Sequence, residues 1–353
     1  MKIIQQKITN HFQNKLPFVV YNKPNTFEVS GLFQQNDDLH RIKNNFDIKG
    51  FVFAPFHSDK ETILIPFETS EFIKENFSEK KNLEVKETEF YNENSKSEHI
   101  NLVEKGVKAI ENDQFKKVVL SRKEEIKDVK IDIIETYQKL LQTYPNAFVY
   151  VWFHPKVGLW FGATPETLLK LENNRFTTMA LAGTQIFNEN EQAKWNQKEI
   201  DEQQFVTDYI LNKLSEFSNK LEHSKTETVK AGSLLHLRTE INGELDVTKE
   251  NSLFSLVSLL HPTPAVCGLP KEAAKQFILK NENYNRSYYT GYLGEINMGL
   301  SRNDSQLFVN LRCMEISENK VIVYVGGGVT KDSVPIKEWQ ETVDKSNIML
   351  KVL

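Results

Sequence analysis

Two alternating runs near the C-terminus limit the folds open to this chain more than any other feature. Gln306 to Ile316 and Lys320 to Tyr324 read as strands, with Leu307, Val309, Leu311 and Cys313 falling on one face of the first at the two-residue period. Ser317 to Asn319 joins them, which makes an antiparallel hairpin. The second arm runs on into three glycines, Gly326 to Gly328, and then into VTKDSVPIKEWQETVDK. Without Cβ atoms the glycine run is expected to turn sharply and let an anion approach main-chain N–H groups. Asp332 or Ser333 can then cap a helix whose opening turn holds Pro335, where a missing donor costs little. On that helix Glu338, Glu341 and Lys345 fall at spacings of three and four and share one face. Taken alone, this is a solvated helix after a hairpin. It becomes a candidate site when a second acidic pair meets it.

Such a pair lies in Trp195 to Phe217. Ile200, Val206, Tyr209, Ile210, Leu214 and Phe217 recur there at helical period and mark a buried stripe, while Glu199 and Glu202 stand three residues apart. Two helices that each offer carboxylates can jointly hold one hard divalent cation. Mg2+ suits that donor set, because it takes oxygen ligands, keeps several waters and usually bridges a few carboxylates to an anionic substrate.

Elsewhere the pattern stays antiparallel. Short apolar runs at Phe18 to Tyr21, Phe51 to Phe56 and Ile63 to Phe67 read as strands, and the charged stretch Leu83 to His99 reads as a connector with a boundary near residue 95. Helices are expected at Asn101 to Asp113, Ile131 to Thr143, Asn251 to Leu260 and from Pro270 to Leu279. Strands are expected at Ala147 to His154, Gly158 to Phe161, Arg175 to Leu181 and Ser233 to Leu245, with a tight turn at Ala182 to Thr184. Strands grouped in hairpins argue against a doubly wound parallel sheet, and no Walker loop, dinucleotide fingerprint or zinc spacing is present.

Composition removes several function classes. A length of 353 residues, 39% of them hydrophobic, suffices for one large domain or two ordinary ones. A net charge of −4 gives no general electrostatic reason for nucleic acid binding. The N-terminal MKIIQQKITNHF lacks the apolar core of a signal peptide, and no run is long enough to span a membrane. Cys267 and Cys313 form neither a metal spacing nor a disulfide framework, so the reducing cytoplasm is the expected compartment.

Four further residues are chemically suggestive. In KVVLSR (117–122), alternation puts Lys116 and Lys117 on opposite faces; an inward lysine in a closed, partly apolar site can act as a base, and an outward one is merely solvated. Glu166 follows the turn GATPE and precedes an apolar run, so it is either a turn residue or a carboxylic acid kept neutral to donate a proton. His236 sits in an apolar run, as packing histidines do. Arg312 is either a ladder arginine or a two-pronged clamp for a carboxylate.

Taken in order, KVVLSR, GATPETLL (162–169), LAGT (181–184), KEIDEQQFVTDYI (198–210), HL (236–237), HPTPAVCGLP (261–270), RSYYTGYLG (286–294), LRC (311–313), YVGGGV and EWQETVDK resemble the chorismate-utilising enzymes, and among them the isochorismate synthases. The resemblance covers roughly residues 100–353. It implies an α/β fold of the α+β type: one large chorismate-binding domain of two packed antiparallel sheets flanked by helices. Residues 1–95 would be a variable N-terminal segment of the same sheet system and 96–353 the catalytic domain.

The resemblance also implies roles. Glu202 and Glu341 would ligate Mg2+ directly, with Glu199 and Glu338 acting mostly through water, and the metal would hold the ring carboxylate of chorismate. Arg312, Tyr289, Lys345 and main-chain N–H groups around Gly326 and Gly328 would bind the enolpyruvyl carboxylate. Gly183, Thr184, His236, Ala265, Val266 and Leu311 would complete the substrate pocket. Lys117 would take a proton from the water attacking C2, and Glu166 would protonate the departing C4 hydroxyl. Anthranilate and aminodeoxychorismate synthases usually have glutamine in place of Lys117, and salicylate synthases commonly have threonine in place of Ala265. Both positions therefore favour isochorismate as the end product, bound for menaquinone or siderophore biosynthesis. The alternatives are a salicylate synthase, which also releases pyruvate, and a catalytically silent chorismate-binding subunit. A cytoplasmic monomer or weak homodimer is expected. Three positions depart from the family's habit: Gln203 for histidine, Ile200 for arginine and Asn285 for an acid.

Overall fold

In Phe148 to His154 every side chain is buried. Phe148, Tyr150 and Trp152 join one core cluster, while Val149, Val151 and Phe153 join another. A strand apolar on both faces must be covered on both, and that requirement sets the layering. The computed structural model describes all residues except 44–45, 58, 79–92, 188–192, 216, 219, 232–233, 247–251, 302 and 318–319.

The first part of the chain runs α1 (Lys2–Gln13), β1 (Phe18–Asn22), β2 (Glu28–Gln34), β3 (His40–Ile42), β4 (Gly50–Ala54), β5 (Thr62–Pro66), β6 (Ser70–Asn76) and α2 (Glu93–Glu111). Then come β7 (Lys117–Lys127), α3 (Ile133–Thr143), β8 (Phe148–His154), β9 (Gly158–Thr164), β10 (Thr167–Glu172), β11 (Arg175–Ile186) and α4 (Gln197–Ser215). After these follow β12 (Leu221–His223), β13 (Glu227–Ala231), β14 (Leu234–Glu244), α5 (Ser252–Leu260), β15 (Gly268–Leu269) and α6 (Lys271–Asn281). The chain closes with β16 (Tyr292–Ile296), β17 (Ser305–Val309), β18 (Cys313–Ser317), β19 (Lys320–Val329) and α7 (Pro335–Leu350).

The strands form two sheets in which the described pairs are antiparallel. One has the order β15-β7-β19-β18-β9-β8-β1-β2-β6, the other β12-β14-β11-β10-β17-β16-β4-β5-β3, with β13 also on β14. Strands from residues 18–76 thus belong to both sheets. Aromatic side chains fill the space between them: Phe53 stacks on Tyr288 at 4.3 Å and Phe148 on Phe308 at 4.1 Å. Helices α1, α3 and α7 cover the outer face of the first sheet, and α4 and α5 that of the second. Cys267 and Cys313 are free and buried. Among the described residues no helix is long and apolar enough to cross a membrane.

Several expectations need correcting. Residues 2–13, expected to lie in a strand-rich region, are helical, and the helix expected from Asn101 starts at Glu93, so a boundary near residue 95 would fall inside α2. Most of the connector at 83–99, and the turn at 318–319, lie outside the described residues. The arm Gln306 to Ile316 is two strands in different sheets, β17 and β18, because the chain breaks direction at 310–312. Ala182 to Thr184 is a bulge in a continuous β11, with Gly183 at φ +67°, rather than a turn. Gly326 to Gly328 do not turn either. They extend β19 and pair with Ser121, Leu120 and Val119 of β7. The residue capping α7 is Val334, with no side-chain bond, because the Ser333 hydroxyl accepts from Thr330 N instead. Ile200, assigned to the buried stripe of α4, is 44% exposed.

Candidate active site

Two sheet-to-sheet crossings lie side by side. The chain leaves the first sheet at Thr164, passes through Pro165 and Glu166, and enters the second at Thr167; it returns through Asn310 to Arg312. Val309 N donates to Glu166 O at 2.9 Å, Ala163 N to Arg312 O at 2.9 Å, and Thr164 Oγ1 to Val309 O at 2.6 Å. Asn310 fixes the return crossing, donating to Tyr288 O at 2.9 Å and accepting from Tyr150 Oη at 2.7 Å. Arg312 takes a left-handed φ of 47°, which reverses the chain into β18. The two crossings thus bring together Glu166 and Arg312, which lie far apart in sequence.

The glycine strand forms the floor. Along β19, Val321, Val323 and Val325 face the helices, and Ile322 and Tyr324 face the space between the sheets. Continuing that alternation puts Gly326 and Gly328 on the inner face, where the aromatic filling stops. A Cβ on Gly326 would lie 3.0 Å from Tyr289 Oη, and one on Gly328 would lie 2.5 Å from Glu202 Oε1 and 3.2 Å from Lys117 Cε. On Gly327 it would meet Glu341 Oε1 at 3.4 Å and Glu338 Oε2 at 3.8 Å. Carboxylates from α4 and α7 therefore approach adjacent residues of one strand, which only glycine leaves open.

Each of these carboxylates has a lysine partner. Lys117 is fully buried, with Nζ 2.9 Å from Glu202 Oε1, whereas Lys116 is exposed. Lys198 Nζ lies 2.6 Å from Glu338 Oε1, and Lys345 Nζ lies 2.6 Å from Glu341 Oε1 and donates to Gly326 O at 3.1 Å. Burial alone would raise the Glu202 carboxyl, but Lys117, Lys198 and Lys345 outweigh it and hold it below the usual range. Glu338 behaves oppositely. Burial and neighbouring Glu341 push it up against the pull of Lys198, and its Oε2 is buried without a partner. Glu199 stands at the start of α4, where its Oε2 accepts from Asn196 N at 3.0 Å and its Cβ faces Gly183.

Glu166, 3% exposed, has its carboxyl pushed up to about 8 by burial, against the opposing charges of Lys117, Arg312 and Lys345. A carboxylic acid that keeps its proton at neutral pH thus sits within the field of three cations. Burial, aided by Arg312, lowers His236 to about 3, so its ring is neutral. Its Nδ1 lies 2.8 Å from Gly183 O and must carry the proton, since a carbonyl only accepts. That leaves Nε2 as a buried acceptor without a partner among the described residues. Thr184 Oγ1 is 3.5 Å from His236 Nδ1. Tyr289 is buried and stacks on Tyr324 at 5.5 Å.

Other expected residues hold the surroundings together. Val266 packs in the core under α4 and α5, and its carbonyl accepts from Arg286 Nη1 at 2.9 Å. Ala265 and Leu311 pack against the same cluster. Buried Gln203 donates to Ala180 O at 3.0 Å and Thr239 Oγ1 at 3.2 Å, tying α4 to the second sheet with no charge. Asn285 donates to Asp59 Oδ2 at 2.6 Å. Sequence reasoning missed Lys198. Its position four residues before Glu202, on the face shared with that acid, was the available signal.

A family model described as "Chorismate binding enzyme" matches residues 54–353. This chain belongs to that family. As a chorismate-binding enzyme it is similar to the isochorismate synthase EntC of Escherichia coli (strain K12), 32% identical over 252 residues, which are 68% of this chain and 62% of the relative. The isochorismate synthase DhbC of Bacillus subtilis (strain 168) is 30% identical over 270 residues, 72% of this chain and 67% of the relative. The match thus spans less than two thirds of EntC. Among solved structures, a putative 2,3-dihydroxybenzoate-specific isochorismate synthase, DhbC from Bacillus anthracis, superposes with a TM-score of 0.81 at 24% identity over 98% of both chains. Anthranilate synthase component I from Streptococcus pneumoniae superposes at 0.69 and 18% identity, over 95% of this chain and 92% of that one. These superpositions share the α+β fold of two large antiparallel sheets.

The donor set of this chorismate-binding enzyme fits a hard cation chemically: oxygen ligands from two helices, a side-chain-free strand beneath them, and one buried carboxylate oxygen lacking a partner. Among the described residues, however, no group of three acids, histidines or cysteines is already gathered to hold a metal. Glu202, Glu338 and Glu341 instead each carry a lysine ammonium.

Proposed function

We propose that this chain is a Mg2+-dependent isochorismate synthase, converting chorismate to isochorismate by adding water at C2 and losing the C4 hydroxyl. The observation that carries this reading is the placing of buried Glu166, whose carboxyl is pushed up to about 8 by burial, within electrostatic reach of buried Lys117. Such a pair supplies one group to take a proton and one to give it, across a single ring. In its amine form Lys117 removes a proton from water as the C2–O bond forms. The ring double bonds shift, the C4–O bond breaks, and the proton on Glu166 goes to the departing oxygen, which leaves as water. An uncharged Glu166 donates without first having to be protonated at neutral pH.

Arg312, Tyr289 and Lys345, with main-chain N–H groups around Gly326 and Gly328, hold the enolpyruvyl carboxylate in this reading. His236 Nε2 is free to accept from a substrate hydroxyl. Mg2+ would supply a positive centre for the ring carboxylate, held by Glu202 and Glu341 directly and by Glu199 and Glu338 mostly through water. Lysine in place of glutamine at 117 supports water as the nucleophile. The test is Lys117→Ala. It should lose turnover by about 10²-fold or more while still binding chorismate in a calorimetric titration, and undiminished turnover would overturn the assignment.

A further inference from the structure

Two adjoining cavities, about 330 and 250 Å³, open at the edge of the site and share Asn146, Pro165 and Lys230 in their walls. The first reaches Arg312, the second His236, and Pro165 precedes Glu166. Among the described residues lining them there is no Asp or Glu, although the chain as a whole carries a net charge of −4. The cations are Lys230, Lys351, Arg238 and Arg312. Arg238 is neutralised by Glu227, with Nη2 2.5 Å from Oε1. The Arg312 guanidinium has no hydrogen-bond or ion-pair partner among the described residues. Lys230 lies on the edge strand β13 and lines both cavities, with Nζ 3.4 Å from the centre of the Phe187 ring.

Each outer lysine has a local explanation: edge strands often carry lysine, and Lys351 complements the C-terminal end of α7. Neither explains why both border an acid-free double cavity that ends at an unpaired arginine. We propose that Lys230 and Lys351 form an outer anion subsite, which captures a carboxylate of the incoming substrate and passes it inward to Arg312. This rests on the reading that the substrate is the dicarboxylate chorismate. Low-dielectric walls lined by one sign of charge concentrate an oppositely charged ligand, so the subsite acts on encounter and leaves the chemical step alone.

The experiment compares wild type, the double variant Lys230→Gln/Lys351→Gln, and the control Lys225→Gln, an exposed lysine outside both cavities. At about 20 mM ionic strength the double variant should lose roughly tenfold in kcat/KM, with kcat within about twofold, and the gap should close as salt approaches about 300 mM. Lys225→Gln should track wild type. A double variant indistinguishable from the control would overturn the subsite. Calorimetric titration of chorismate reads the same difference as a weaker Kd in the double variant, whatever product forms. Wild type that binds chorismate but makes no isochorismate would refute the activity and leave the subsite standing, whereas equal Kd values in both proteins would refute the subsite.

Discussion

Glu166→Gln should separate stability from catalysis. The folded protein holds a proton on Glu166 until about pH 8, whereas the unfolded chain releases it near the ordinary 4.5. Between these values unfolding releases a proton, so wild-type stability falls as pH rises, by about 1.4 kcal/mol per pH unit. Glutamine has nearly the same shape and does not titrate. Relative to the variant, wild type should therefore lose nothing near pH 4.5, about 3 kcal/mol at pH 7 and about 4–5 kcal/mol by pH 8, above which the loss levels off. Urea unfolding midpoints of both proteins at pH 5, 7 and 8 read this gap directly. Turnover should move the other way: the variant cannot donate the proton and should be slower by about 10²–10⁴-fold. Wild-type activity should decline as pH rises through about 8, where the acid loses its proton. A stability gap that does not change with pH would refute the claim that Glu166 is stored as a neutral acid.

Three further outcomes are expected. Gly328→Ala puts a Cβ 2.5 Å from Glu202 Oε1 and 3.2 Å from Lys117 Cε, so turnover should drop by about 10²-fold with little loss of stability, as steady-state kinetics and thermal melting would report. Arg312→Ala removes an unpaired cation from the cavity wall and should raise KM for chorismate by about 10–100-fold, the range for one charge-assisted contact. Glu341→Gln should weaken Mg2+ binding in a calorimetric titration by about tenfold or more, and an unchanged affinity would remove Glu341 from the metal set.

The helix-borne acids were readable because they depend on local period. Glu338, Glu341 and Lys345 share a face of α7 at spacings the sequence displays, and Glu199 and Glu202 do so on α4. The inward lysine was narrowed to Lys116 or Lys117 by alternation, and the structure buries Lys117. What stayed hidden depends on contacts between distant segments. The run from 306 to 316 reads as one continuous strand, yet the chain changes sheets at Asn310, because Tyr150 and Tyr288 seize that side chain. The glycines suggested a turn because glycine permits one; in place they stay extended, and their small size makes room for Glu202, Glu341 and Tyr289. The ammonium groups supplied by other segments were equally hidden, since Lys117 meets Glu202 and Lys198 meets Glu338 only after β7, α4 and α7 pack together.

Chromatographic identification of what purified protein makes from chorismate and Mg2+ bears most directly on the chemistry. Isochorismate accumulating without pyruvate is the expected result. Salicylate with an equivalent of pyruvate, an aminated ring when ammonia is supplied, or unchanged chorismate would contradict it.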